Sequence, residues 1–135
     1  MAKMSPAARS TFAVLDGLLL FLALEGVFYA IAFLVLQRSF DTPTPLYLAC
    51  NFLWAVIAGG LGGYTAGWVA RRSPVAHGLA VAFPLILLGI FNLHKGLGGN
   101  HTTYVLLLNS FVPVFAVWGS FLAGKLQGSN RRVSR

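Results

Sequence analysis

Acidic residues are nearly absent: three Asp and Glu occur in 135 residues, and charged residues of both signs make up only 10%, where soluble domains carry about 25%. That scarcity excludes an ordinary soluble fold. A water-soluble domain of this size could not hide a 57% hydrophobic composition and would expose large apolar patches. Cysteine is just as scarce. Cys50 stands alone, which excludes an internal disulfide and a cysteine-based metal site. What the chain does have is apolar bulk, with a mean hydropathy of +0.75, and ten Lys and Arg that bring the net charge to +7. In a soluble protein such a charge would point to nucleic acid, so its placement along the chain decides its meaning.

A hydrocarbon core about 30 Å thick takes roughly 20 apolar residues at 1.5 Å each. Four runs reach that length: Thr11 to Leu36, Leu46 to Ala70, Pro74 to His94 and Tyr104 to Ala123. Phe40 to Pro45 is a polar, proline-broken turn, and Lys95 to Thr103 is too polar and glycine-rich to stay helical in lipid. The first run is too long for the apolar region of a signal peptide, contains two acids and has no small-residue cleavage site before Gln37, which predicts a retained helix. The expected fold is an all-α integral membrane bundle of four transmembrane helices. Residues 1–127 form its single domain, and 128–135 a short, basic, disordered cytoplasmic tail.

Lys3, Arg9, Arg71, Arg72, Lys125, Arg131, Arg132 and Arg135 fall on one side of such a bundle, and only Arg38 and Lys95 on the other. By the positive-inside rule both termini are cytoplasmic. Topology thus accounts for the basic residues, and no aromatic-interleaved basic face accompanies them, so nucleic acid is not an expected partner. The lipid bilayer is the expected one, with the tail within reach of anionic headgroups.

Lipid tails are as apolar as leucine, so membrane helices associate through close backbone approach. In the second run Ala55, Gly59, Gly63 and Gly67 recur every four residues, with Ala58, Gly62, Ala66 and Ala70 in a row beside them. Two such rows predict a wide face for close helix packing, or alternatively a pore lining. The fourth run repeats the theme with Ala116, Ser120 and Gly124 beside Gly119 and Ala123. A shift of 57 residues sets Gly62-Gly63-Tyr64-Thr65-Ala66-Gly67 over Gly119-Ser120-Phe121-Leu122-Ala123-Gly124, as two hairpins related by a parallel repeat would. Pro84 and Pro113 fall inside the third and fourth runs, as static kinks or as hinges. The segment Gly62 to Arg72, followed by Pro74-Val75-Ala76-His77-Gly78, resembles a pattern in small four-helix bacterial inner-membrane proteins of uncharacterised function. That resemblance implies a bacterial inner membrane and carries no activity with it.

An ionisable side chain within the bilayer is a functional hypothesis by default, and Asp16 and Glu25 are two such groups. Asp16 shares a stripe with Ala23 and Ala30, next to Gly26, which predicts that it points into the bundle at the depth of His77 and within reach of Arg71 or Arg72. There it would serve as a structural partner that fixes helix order, or as a proton relay or ligand. Nine residues turn a helix by about 180°, so Glu25 is predicted to face away from that stripe, beside Phe21, Phe28 and Tyr29. With no cation of this chain at its depth, Glu25 is expected to be protonated or bonded outside its hairpin. Three roles stay open: a neutral hydrogen-bonding group, a contact with another subunit or cofactor, and a proton-coupled transport site.

Asn51, Asn92, His94, Asn100, His101, Thr102 and Asn109 gather at the outer ends of the runs and read as solvated or interfacial residues. Asp41 is the single carboxylate near them, too few ligands to predict a metal. No nucleophile, acid and base cluster, and no phosphate-cradling loop precedes a Lys, so neither an enzyme nor a cofactor is expected. The leading expectation is a small multi-pass membrane protein acting through helix packing, as a homo-oligomer or an accessory subunit. The alternative is a small proton-coupled transporter or channel that uses Glu25.

Overall fold

The computed structural model describes residues 5–36, 44–94 and 102–133, and every regular element in them is an α-helix. They are α1 (Pro6–Leu36), α2 (Pro45–Ala70), α3 (Pro74–His94) and α4 (Thr102–Val133). All four are long and apolar enough to cross a bilayer, which fits a multi-pass membrane protein. The two connections expected around Phe40 and Lys95 lie largely outside the described residues.

Local chemistry sets the helix ends. Ser5 Oγ accepts a hydrogen bond from the Ala8 amide at 3.2 Å ahead of α1, and Thr44 Oγ1 accepts from the Tyr47 amide at 3.3 Å ahead of α2. Each satisfies one of the amides that a first turn leaves unpaired. Pro6, Pro45 and Pro74 open their helices, where the missing N–H of proline is no loss. Between α2 and α3 the chain reverses through Arg71 and Ser73, both left-handed at φ 57° and 44°. Helix α4 differs from expectation at its end, because the segment from Gly128 to Val133 continues the helix. One glycine costs a helix interior only about 1 kcal/mol, and no proline follows to stop it.

Small residues determine how the helices meet. A Cβ added at Gly59 would lie 2.8 Å from Val112 Cγ1, and one at Gly67 would lie 2.8 Å from the Ser120 carbonyl oxygen. At Gly63 it would overlap the Ala116 carbonyl outright. The partner advances by four residues at each step, so α2 and α4 run parallel in one register. Gly62 in the second row faces α1 instead, where a Cβ on Gly17 would sit 2.5 Å from its carbonyl oxygen and 3.0 Å from Ala66 Cβ. The two rows of α2 therefore hold two different neighbours. Farther along, Trp54 Nε1 donates to the Leu24 carbonyl at 2.9 Å, so α1 and α2 are antiparallel. Helices α3 and α4 are antiparallel too, with Gly78 against Ser120, Gly89 against Asn109 and Gly124 against Pro74. Helix α2 packs on the other three, whereas among the described residues the α1 and α4 backbones do not approach each other closely. The end of the bundle with the α2–α3 turn is called proximal below, and the opposite end distal.

The orientation of α1 reverses the sequence expectation. Ala13, Gly17 and Phe21 are buried, while Asp16, Ala23, Gly26 and Ala30 are exposed. Gly17 permits the closest approach to Gly62, and Phe21 fills the core beside Ala55, Val81 and Leu85. The small stripe that was expected inside faces outward. Asp16 consequently lies in a proximal groove on the surface with Arg9, Trp68 and Arg71, away from His77. His77 is buried at the α2–α3 turn, its Nδ1 3.0 Å from the Ser73 carbonyl oxygen.

Candidate functional site

The same rotation brings Glu25 inside. One turn beyond Phe21 on the buried face of α1, its carboxyl lines a cavity of about 230 Å³ to which all four helices contribute. Tyr29 lies beyond it on α1, Asn51 and Ala55 form the α2 wall, Gly89 and Asn92 the α3 wall, and Asn109 and Pro113 the α4 wall. Asn51 and Asn109 stand six and seven residues inside the first residues of α2 and α4, about 9 to 10 Å from those ends at 1.5 Å per residue. The site belongs to the distal part of the bundle.

Three buried side-chain atoms here have no hydrogen-bond partner: Glu25 Oε1, Asn51 Nδ2 and Asn109 Nδ2. Each comes from a different helix, and all three residues line the one cavity. Asn51, only 4% exposed, is held from behind, because the Tyr104 hydroxyl of α4 donates to its Oδ1. With Oδ1 engaged, its amide N–H groups remain for the cavity. Asn109 owes its place to Gly89, since any Cβ there would overlap the Asn109 amide. Pro113 adds to the polarity. It has no N–H for the Asn109 carbonyl four residues earlier, so that carbonyl loses its helical donor.

Among the described residues no Lys, Arg or His lines the cavity. The carboxyl therefore has no counter-charge among the described residues that line the cavity with it. Among the described residues no group of three His, Cys, Asp or Glu side chains is placed to hold a metal ion. What the arrangement can do is bind a proton on Glu25 and hydrogen-bond a small polar group with two amides. Leu85, Leu88, Leu108 and Val112 supply apolar walls.

Asp16 and His77 do not join this site, and the glycines of α2 with Ser120 and Gly124 serve as helix contacts. Sequence reasoning missed the partners of Glu25. Asn51, Asn92 and Asn109 stand out in the sequence as a polar group at the outer ends of the runs, a position that by itself reads as interfacial. The signal that would have joined them is the run Ala13, Gly17, Phe21, Glu25 at four-residue spacing, which continues from the contact with Gly62 straight to the carboxyl. No protein family, curated protein or solved structure matches the chain.

Proposed function

We propose that the protein is a small proton-coupled carrier of the bacterial inner membrane, with both termini cytoplasmic and Glu25 as its working group. One observation supports this reading: the Glu25 carboxyl faces an internal cavity with one oxygen buried and unpartnered, beside two unpartnered amides. A structural glutamate would be satisfied by its neighbours, because an unpaired buried polar group costs about 1 to 3 kcal/mol. Groups left open around a cavity suit something that comes and goes. Two hairpins related by a parallel repeat form part of this reading, supported by the parallel run of α2 and α4.

The test is proton flux in proteoliposomes under an imposed pH gradient, read with an internal pH-sensitive dye. Vesicles with the protein should equilibrate faster than empty ones, and Glu25→Gln should remove the difference while helix content and melting temperature hold. Undiminished flux in Glu25→Gln would overturn the reading.

A second reading, self-association or service as an accessory subunit through helix packing, is supported by the outward stripe of α1. Ala23, Gly26 and Ala30 are exposed, and a Cβ at Gly26 would meet nothing within 4 Å. Gly26→Leu should then shift the oligomer size in nanodiscs, whereas an unchanged size removes this reading.

A further inference from the structure

We propose that the Glu25 cavity takes an uncharged amphiphile, a hydrocarbon chain ending in a carbonyl-type oxygen acceptor, which enters sideways from the lipid between α1 and α3. The inference rests on the carrier reading for its transport consequence, but the binding it describes can be measured separately.

The entry route follows from the walls. Leu22 of α1 and Leu88 of α3 line the cavity and are also 55% and 48% exposed on the outer surface of the bundle. A residue that is both wall and surface marks a mouth, and in a bilayer this mouth opens onto acyl chains. Among the described residues the α4 backbone does not come close to α1 to close it. The packing of α1 against α3, through Gly17 and Phe21 near Val81 and Leu85, lies about one to two turns proximal of Glu25. Beyond it Leu22 and Glu25 of α1 and Leu88 and Gly89 of α3 line the cavity.

The chemistry of the polar end follows from the unpartnered atoms. Asn51 Nδ2 and Asn109 Nδ2 are both donors without an acceptor. A protonated carboxyl at Glu25 supplies a further O–H donor. Three donors call for oxygen lone pairs on the ligand, and a carbonyl oxygen has two. An anion is disfavoured, because among the described residues no Lys, Arg or His lines the site to balance it and Glu25 would repel it on ionising. A quaternary cation is disfavoured for the opposite reason, since two amide N–H dipoles would turn their positive ends toward it. The volume, about 230 Å³, holds a polar head with a few carbons while the rest of the chain trails past Leu22 and Leu88 into lipid. Protonation of Glu25 and ligand binding then favour one another, because the neutral acid donates to the ligand and the carboxylate cannot.

The experiment uses the full chain in phosphatidylcholine nanodiscs and four probes of equal chain length: 2-dodecanone, dodecyltrimethylammonium, dodecyl sulfonate and dodecane. Saturable rise of the melting temperature with 2-dodecanone, and none with the other three at equal mole fraction, is the expected result. Asn109→Leu should weaken the ketone response about tenfold or more, as loss of a donor in a site built for hydrogen bonding does. Leu88→Trp, a surface substitution that bulks the mouth, should weaken it as well, and both variants should keep wild-type helix content. Preference for the ammonium or the sulfonate probe, a ketone response unchanged in Leu88→Trp, or no response to any probe would each overturn the proposal. Glu25-dependent proton flux persisting in those cases would leave the carrier reading standing, and ketone binding without such flux would do the reverse.

Discussion

At the scale of the residue, glycines carry different weights according to what faces them. Gly63 is pressed against the Ala116 carbonyl, and a methyl there has nowhere to go because the obstacle is backbone. Gly26 looks outward into open space. The substitution Gly63→Ala should therefore destabilise by about 1 to 3 kcal/mol, the usual range for forcing bulk into a packed contact. Gly26→Ala should be neutral or slightly stabilising, since alanine is the better helix former. Thermal melting of both variants in the same mild detergent measures the difference, and equal shifts would mean that the α2–α4 contact does not carry the bundle. Glu25 shows the same dependence on surroundings. It is notable less for lying in an apolar helix than for the open amides around it.

At the scale of the element, α1 is the loosest of the four, since it rests mainly on α2 and meets α3 more sparsely, around Gly17 and Phe21. Gly17 is the pivot of both contacts. Gly17→Val would drive its side chain into the Gly62 carbonyl oxygen, 2.5 Å from the Cβ position, and against Val81 Cγ2 at 3.2 Å. Hydrogen exchange in nanodiscs should then rise along α1 while α3 and α4 keep their protection, and uniform loss across all helices would show that α1 does not open separately. This element is also where the sequence was least legible. The four helices were legible from their length and apolarity, and the two rows of α2 from their four-residue spacing. Neither signal tells which side of an apolar helix is buried when the alternative to burial is lipid. Small residues had to decide, and α1 carries two small stripes. Ala13 and Gly17 lie on the buried one, Ala23, Gly26 and Ala30 on the exposed one. The longer stripe was the natural choice, yet the inner contact needs a small residue only at its tightest point, above which Phe21 fills the space. Once α1 was turned the wrong way, Glu25 lost its neighbours and the site could not be assembled.

At the scale of the whole molecule, the direction of the bundle across the membrane bears on what Glu25 can do. The cavity sits toward the distal end, and the described basic residues Arg9, Arg71, Arg72 and Lys125 lie toward the proximal one. In the sequence eight of the ten Lys and Arg belong to the termini, the α2–α3 turn and the end of the fourth apolar run, and Arg38 and Lys95 to the other two connections. By the positive-inside rule the proposed topology predicts one orientation, because short basic segments are retained on the cytoplasmic side. The proximal end should therefore face the cytoplasm and the cavity the outer leaflet. Cysteine labelling tests it after the exposed native thiol is removed by Cys50→Ala. In intact cells Thr103→Cys, near the distal start of α4, should react with a membrane-impermeant maleimide, and Ser129→Cys should react only after the cells are broken. Replacing Arg71 and Arg72 with Asn should then produce a mixed population, with Ser129→Cys partly labelled from outside, since the turn loses its two cytoplasmic anchors. If Ser129→Cys labels from outside in the otherwise unaltered protein, the cavity opens toward the cytoplasmic leaflet instead. Proton movement through Glu25 would then begin from the opposite side.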